Sequence, residues 1–585
     1  MRSLLRLKPY LLRYKKTLFL GVLTVVGSNI FTVIQPYFIG IAIDTLKHGI
    51  SNNTVVARDL LMWAGLIVGF TLISGIFTFL TRQTIIVVSR HIEFDLRNDL
   101  LAHLQKLPYS YFQNTPTGDL MAHATNDISA VRNVLGPGIM YPSDTILTFT
   151  FVLTMMLISD WQLTLLALIP LPFVSIAVYW LGTLVHKKFM ERQEQFSLLT
   201  TRAQENLSGI RVVKSYVREQ FETERFQQMS WEYMKKNLVL ARVQSILWPL
   251  MFLLVGFSIV ITMYTGGSQV IDGEITIGTL TAFLAYLVML IWPMIAFGWV
   301  MNLLQQGAAS MARLAKIFDT VPEIRDTDDV ESTITSIEGN IEFRNVTFAH
   351  KGNDASVLHD INLKIEKGMT VAVVGYTGSG KTTLVNLIPR LYDSTSGQLL
   401  IDGVDVRNIP LAVLRKHIGM VPQETFLFSE TIAENIRYGL SNGVDGIDEA
   451  ASISQIAKDV EEFPKKFETM IGERGITLSG GQKQRTSIAR ALIRHPKILI
   501  LDDALSAVDT YTEEEILKKL QHFMKDRTSI IISHRISTVK DADLIVVLDQ
   551  GRIVERGTHD ELVALGGIYA ELHEKQLLEQ QLEEM

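Results

Sequence analysis

The sequence contains no cysteine. Disulfide frameworks, thiolate nucleophiles and cysteine-ligated zinc or iron–sulfur centres are therefore excluded. Its 13 histidines fall in no metal-binding spacing such as H-E-x-x-H. Excess positive charge is also missing: 55 Lys and Arg face 61 Asp and Glu, a formal net charge of −6. A protein that holds nucleic acid by bulk charge needs the opposite balance, so no nucleic-acid partner is expected. Charged residues are only 20% of the 585, against 48% hydrophobic ones, which is apolar for a chain that lives in water. Tryptophan is absent after Trp299, although seven occur between Trp63 and that point. The chain reads as two halves made for two solvents.

Six stretches in the first half have the length and apolarity of bilayer-spanning helices: 18–43, 60–81, 139–158, 163–185, 246–265 and 277–300. The basic N-terminal segment precedes an apolar run too long for a signal-peptide core and is expected to be retained. Residues 1–16 carry six Lys and Arg, and 186–245 carry eleven. The connections after the first, third and fifth stretches together hold only Lys47 and Arg58. By the positive-inside bias, both termini are cytoplasmic. The inner connections, 82–138 and 186–245, show apolar residues at helical spacing, so the spanning helices should continue as stalks. Pro108, Pro116 and Gly118 mark one turn region and Gly209 another. Asp144 is the one acid well inside a span. It is either a functional group, such as a cation site, or a residue facing a hydrated cavity or a neighbouring helix.

Residues 310–340 are acidic and mixed, a linker composition. From 341 onward short β-like runs alternate with helical segments, an α/β layout. The apolar run Val371–Val374 leads into Gly375-Tyr376-Thr377-Gly378-Ser379-Gly380-Lys381-Thr382-Thr383. This fits the phosphate-binding loop G-x-x-x-x-G-K-[ST], whose backbone N–H groups and helix N-terminus cradle ATP phosphates. Lys381 is expected on the β- and γ-phosphates, and Thr382 on Mg2+. A second apolar run, Ile498–Leu501, ends in Asp502 and Asp503. Asp502 is placed to organise Mg2+, and Asp503 to act as a base for the attacking water.

These motifs resemble the nucleotide-binding domain of ABC transporters. Leu478–Gln482 (LSGGQ) looks like the family signature, Gln423 the Q-loop, Ser506–Asp509 the D-loop and His534 the switch histidine. GERG at 472–475 resembles the segment that contacts the membrane domain in exporters, and 117–128 and 209–216 resemble their coupling loops. The resemblance implies an α-helical transmembrane domain of six spans (1–309), a linker (310–340), an α/β ABC ATPase domain (341–578) and an acidic tail (579–585). It also implies head-to-tail dimers in which Ser479, Gly480, Gly481 and Gln482 meet an ATP held by the other chain's phosphate loop. Gln423 joins Thr382 and Asp502 as an Mg2+ contact, and His534, Gln423 and Asp503 form the catalytic set.

Two positions depart from the family pattern. The residue after the Mg2+ aspartate is usually Glu; here it is Asp503, about 1.5 Å shorter in reach. His350 stands where a Tyr usually stacks on adenine. The first departure resembles the degenerate-site subunit of heterodimeric bacterial multidrug exporters. The expected function is ATP-driven export of hydrophobic or amphipathic compounds across a bacterial cytoplasmic membrane, by a dimer with a second half-transporter. A lipid flippase or a homodimeric exporter comes next. A gated channel or a siderophore importer comes last.

Overall fold

The computed structural model describes residues 2–51, 57–352, 355–440, 446–472 and 478–583. Two compact units emerge. One comprises Met1–Ala102 with Gly118–Asp319; the other comprises His103–Thr117 with Thr320–Met585.

The first unit is built of helices, with no strand among its described residues. Four stretches there are long and apolar enough to cross a membrane: Lys15–Gly49, Ala57–Leu104, Thr117–Ser159 and Glu219–Asp272, with Ile277–Pro293 a shorter apolar helix. The expected span at 163–185 is divided between Trp161–Leu168 and Leu171–Ser208. Pro170 sits at that break, lacking an N–H for the helical ladder and restricting the residue before it. The expected span at 277–300 is divided between Ile277–Met289 and Ile291–Asp319. Pro293 lies in the first turn of the second helix, where an N–H has no helical partner in any case.

The stalks expected for 186–245 are two long helices. Glu219–Asp272 has 54 residues, about 80 Å at 1.5 Å per residue, far beyond a hydrocarbon core of about 30 Å. It runs antiparallel to the 38-residue helix Leu171–Ser208. Arg202 Nη2 donates to Glu222 Oε1 at 2.6 Å, and farther along Gln195 Nε2 donates to Glu232 Oε2 at 3.3 Å. The chain turns at Gly209, leaving Val212, Tyr216 and Val217 exposed between the helices.

Two expected boundaries move. The cut at 309/310 falls inside the helix Ile291–Asp319, because Met311, Leu314, Ala315 and Ile317 continue its buried face. Asp127 holds that helix through Arg313, whose Nε donates to Oδ2 at 3.0 Å. The cut at 578/579 falls inside the helix Ile568–Glu583.

The second unit holds two sheets. β1 (Ile341–Ala349), β2 (Ser356–Ile365), β4 (Ser396–Ile401) and β5 (Val404–Asp405) form an antiparallel sheet in the order β2-β1-β4-β5. The other runs β10-β9-β3-β8-β7-β6, from β3 (Thr370–Val374), β6 (Ile418–Val421), β7 (Ile498–Asp502), β8 (Thr528–Ile532), β9 (Leu544–Asp549) and β10 (Arg552–Gly557). β3 pairs in parallel with β8 and β9, and β7 with β6 and β8. Both faces are covered. Val371 and Val373 enter one hydrophobic core, while Ala372 and Val374 enter the other. This two-sided burial is why these strands read as unbroken apolar runs.

Candidate functional site

β3 and β7 end beside one another's loops, separated in the sheet only by β8. β3 delivers the loop Gly375–Gly380 to the helix Lys381–Leu387; β7 delivers Asp502 and then Asp503. Backbone space is the constraint at Gly375, where a Cβ would collide with the Leu548 carbonyl oxygen. Gly380, at φ 101°, sits where the loop turns into the helix, a conformation L side chains rarely adopt.

Lys381 is buried and folds back over the loop. Its Nζ donates to the carbonyls of Gly375 and Tyr376, both at 2.8 Å. Burial pulls its pKa below the usual lysine value, against the opposing pull of Asp502 and Asp503. Asp502 is 1% exposed. Burial raises its pKa; the bond from Thr382 Oγ1 to Oδ1, at 3.2 Å, opposes that and the neighbouring Asp503 carboxylate adds to it. Its other oxygen, Oδ2, and Ser379 Oγ are buried with no hydrogen-bond partner among the described residues. Such orphaned polar atoms are costly, and one belongs to the phosphate-binding loop while the other belongs to a residue that shares its cavity. Asp503 stands at φ 50° and is anchored by its N–H, which donates to Ile532 O at 2.9 Å.

Thr377, Gly378, Gly380, Lys381, Thr382, Thr383, Gln423, Asp502, Asp503 and His534 line one cavity of about 290 Å³. Residues separated by more than 150 positions thus surround a single space. Other expected residues lie elsewhere. Tyr376 is 44% exposed outside the lining. His350 is also outside it, packed edge-on against Phe348 and Tyr392 at 4.9 and 5.4 Å between ring centroids. The physical reason is Tyr392, whose hydroxyl donates to Gln113 Oε1 at 2.7 Å in the helix Tyr109–Asn114. His350 completes that aromatic cluster.

Ser479, Gly480, Gly481 and Gln482 do not line the cavity either. They open the helix Gly480–Leu492, with Ser479 as N-cap in a capping box completed by Gln482. Ser479 and Gly480 are exposed; the Ser479 N–H is taken by Gln482 Oε1 at 3.0 Å, so it is the first-turn amides from Gly480 onward that this helix start offers to an anion from outside the chain. Glu473, Arg474 and Gly475 of the GERG segment lie outside the described residues.

Two glutamines complete the site without having drawn attention in the sequence. Gln484 is buried; its Nε2 donates to Ser506 Oγ at 3.0 Å, and its Oε1 accepts from the Ala507 N–H at 2.8 Å. It fixes the turn after Asp503. Gln576, in the C-terminal helix, brackets the His534 turn: Nε2 donates to His534 O, and Oε1 accepts from the Ile536 N–H at 2.7 Å. No local spacing signals either contact. Replacing Gln576 by Ala should speed hydrogen exchange of the Ile536 amide about fivefold, for a bond worth about 1 kcal/mol. Unchanged exchange at that amide, measured by mass spectrometry, would mean that the clamp does not form in solution.

Comparison with known proteins agrees with this geometry. The family described as "ABC transporter transmembrane region" matches residues 18–294, and "ABC transporter" matches 358–506. The chain is 39% identical over 573 residues to a probable multidrug resistance ABC transporter ATP-binding/permease protein, YheI, of Bacillus subtilis (strain 168), covering 98% of this chain and 96% of that one. It is 40% identical over 532 residues to an ATP-dependent lipid A-core flippase of Syntrophus aciditrophicus (strain SB), covering 90% and 87%. Among solved structures, a bacterial Atm1-family ABC exporter with ATP bound superposes with a TM-score of 0.80 at 28% identity, covering 96% of this chain and 99% of that one.

Proposed function

Because the chain belongs to the ABC transporter family, with its membrane region and its ATPase in one polypeptide, we propose that it exports hydrophobic or amphipathic compounds as one half of a heterodimer. It is a membrane-embedded, ATP-hydrolysing transporter, and exporters of this type work as dimers. The proposal adds the substrate class, the unlike partner, the bacterial cytoplasmic membrane and the roles of individual residues.

The observation that carries the reading is the division of the nucleotide machinery. The phosphate loop, both aspartates, Gln423 and His534 share one cavity, whereas Ser479–Gln482 lie apart from it on an exposed helix start. Half of each site must come from elsewhere, and a second ATPase domain supplies it.

Within this chain, Lys381 exchanges its two carbonyl bonds for phosphate oxygens when ATP enters. The Thr382 hydroxyl and the buried Asp502 carboxylate are an all-oxygen donor pair that suits Mg2+, with the orphaned Asp502 Oδ2 free to bind. Mg2+ held there would neutralise charge on the phosphates. Gln423 and His534 border the same space, placed to orient water and to hold the terminal phosphate. Asp503 is positioned to take a proton from water, but it is one methylene short of the family's usual Glu. General-base assistance is worth about 10²–10⁴-fold, so a base out of reach leaves a site that binds ATP and turns it over slowly. ATP-dependent closure then favours one state of the membrane helices by differential binding.

Lipid translocation is the second reading, favoured by the flippase from Syntrophus aciditrophicus. Inverted membrane vesicles containing the assembled dimer should accumulate a fluorescent hydrophobic dye only with ATP. ATP-gated current across a planar bilayer with no dye accumulation would replace the exporter by a channel. Movement of labelled phospholipid alone would establish the flippase.

A further inference from the structure

A second cavity lies in the first unit and takes no part in nucleotide chemistry. It has a volume of about 140 Å³ and is bordered by Ser28, Thr78, Thr81, Arg82, Tyr141 and Asp144 among others. These residues belong to the helices Lys15–Val33, Ala57–Thr81 and Pro137–Ser159, with Arg82 following the second. The cavity is therefore walled by three membrane helices.

The hydroxyls of Ser28, Thr78 and Thr81 already have partners. Ser28 Oγ shares a hydrogen bond with Thr78 Oγ1 at 2.8 Å, and Thr81 Oγ1 donates to Thr24 Oγ1 at 2.9 Å. Asp144 is different. Its Oδ1 accepts from Asn29 Nδ2 at 2.8 Å. Asn29 is 3% exposed and locked in turn: Nδ2 also donates to Val25 O at 3.1 Å, and Oδ1 accepts from the Thr148 hydroxyl. A buried amide thus aims the carboxylate, while Oδ2 has no protein donor among the described residues. No Lys, Arg or His forms an ion pair with Asp144 among the described residues; Arg82 borders the same cavity but is exposed to solvent and is not paired with it.

An unpaired carboxylate within a membrane span is expensive to maintain. A structural aspartate would have closed its charge with a cation or spent both oxygens on the helices around it. Here one oxygen is fixed and the other is without a protein donor among the described residues, on a residue that borders a cavity, and Tyr141, whose ring can attract a cation, borders the same cavity. We propose that Asp144 is the point at which this transporter recognises positively charged amphipathic substrates: its carboxylate takes an ammonium or iminium group. This deepens the export reading above and rests on it.

The test compares a permanently cationic probe, ethidium, with a neutral one, calcein acetoxymethyl ester, in vesicles carrying the whole transporter. Asp144→Asn keeps an oxygen for Asn29 and removes only the charge. It should raise the ethidium concentration for half-maximal transport about tenfold, the loss of one charge-assisted contact, and leave ester transport unchanged. Asp144→Glu should restore part of the ethidium transport. Equal losses for both probes, or no loss for either, would overturn the assignment. Ethidium binding to the purified transporter, followed by its fluorescence, addresses the site without transport: affinity should fall about tenfold in Asp144→Asn. Equal affinity overturns the site. Charge-dependent binding without ATP-driven movement of either probe keeps the site and removes the export reading.

Discussion

Replacing Gly480 by Asp should reduce steady-state ATP hydrolysis by the assembled transporter at least about 10²-fold, whereas Asp503→Asn should leave it within about twofold. The contrast follows from the proposed division of sites. Gly480 opens an exposed helix whose amides would close on ATP held by the partner chain. A carboxylate there repels the phosphate it replaces in that pocket. The substitution does not endanger the fold, because among the described residues a Cβ at this position meets only Ala507 Cβ at 3.4 Å, an ordinary contact. An acidic residue in a first helical turn also suits the helix dipole. Asp503 stands in the other site, where its reach is already short, so removing its charge costs little turnover. Comparable losses from both substitutions would place Asp503 among the working bases and end the asymmetry.

Asp502→Asn should raise the melting temperature of the nucleotide-free transporter by about 2–4 °C while weakening Mg2+-dependent ATP binding at this site about 10²-fold. Burial, with help from the Asp503 carboxylate, raises the Asp502 pKa in the folded chain. A carboxyl with a raised folded pKa favours the folded state at low pH. That contribution fades as pH rises from the unfolded value through the folded one, leaving a net cost at neutral pH. Asparagine removes the cost and still offers Thr382 an oxygen. It cannot replace the anionic Oδ2, which lacks a partner among the described residues. A lower melting temperature, or ATP affinity unaffected by Mg2+ in both proteins, would show that Asp502 serves packing instead.

The phosphate loop and the two aspartates were legible because their chemistry is encoded locally. Gly375, Gly380 and Lys381 sit at fixed spacing after an apolar strand, and Asp502 ends another. The membrane helices were legible by length and apolarity, but their breaks at Ile169–Pro170 and Leu290 were not, since a run of apolar residues does not reveal where a proline will interrupt it. Gln484 and Gln576 were invisible for a different reason. Each acts on a backbone turn far away in the chain, through a residue type that is ordinary on any helix surface. His350 was placed by analogy with a stacking Tyr; its edge-on packing against Phe348 and Tyr392 was not legible, because Tyr392 lies more than 40 positions away. The end of the helix at Asp319 was missed because Arg313 and Lys316 interrupt the apolar run before the buried face through Ile317 runs out.

The central claim is that this chain pairs with an unlike half-transporter and contributes the weaker of two ATP sites. Affinity isolation of the tagged chain from its own membrane, followed by intact-mass analysis of the stoichiometric partner, tests it most directly. The account predicts a second half-transporter carrying Glu after its Mg2+ aspartate. A complex made of two copies of this chain would contradict it, and Asp503 would then stand in both sites of an actively hydrolysing dimer.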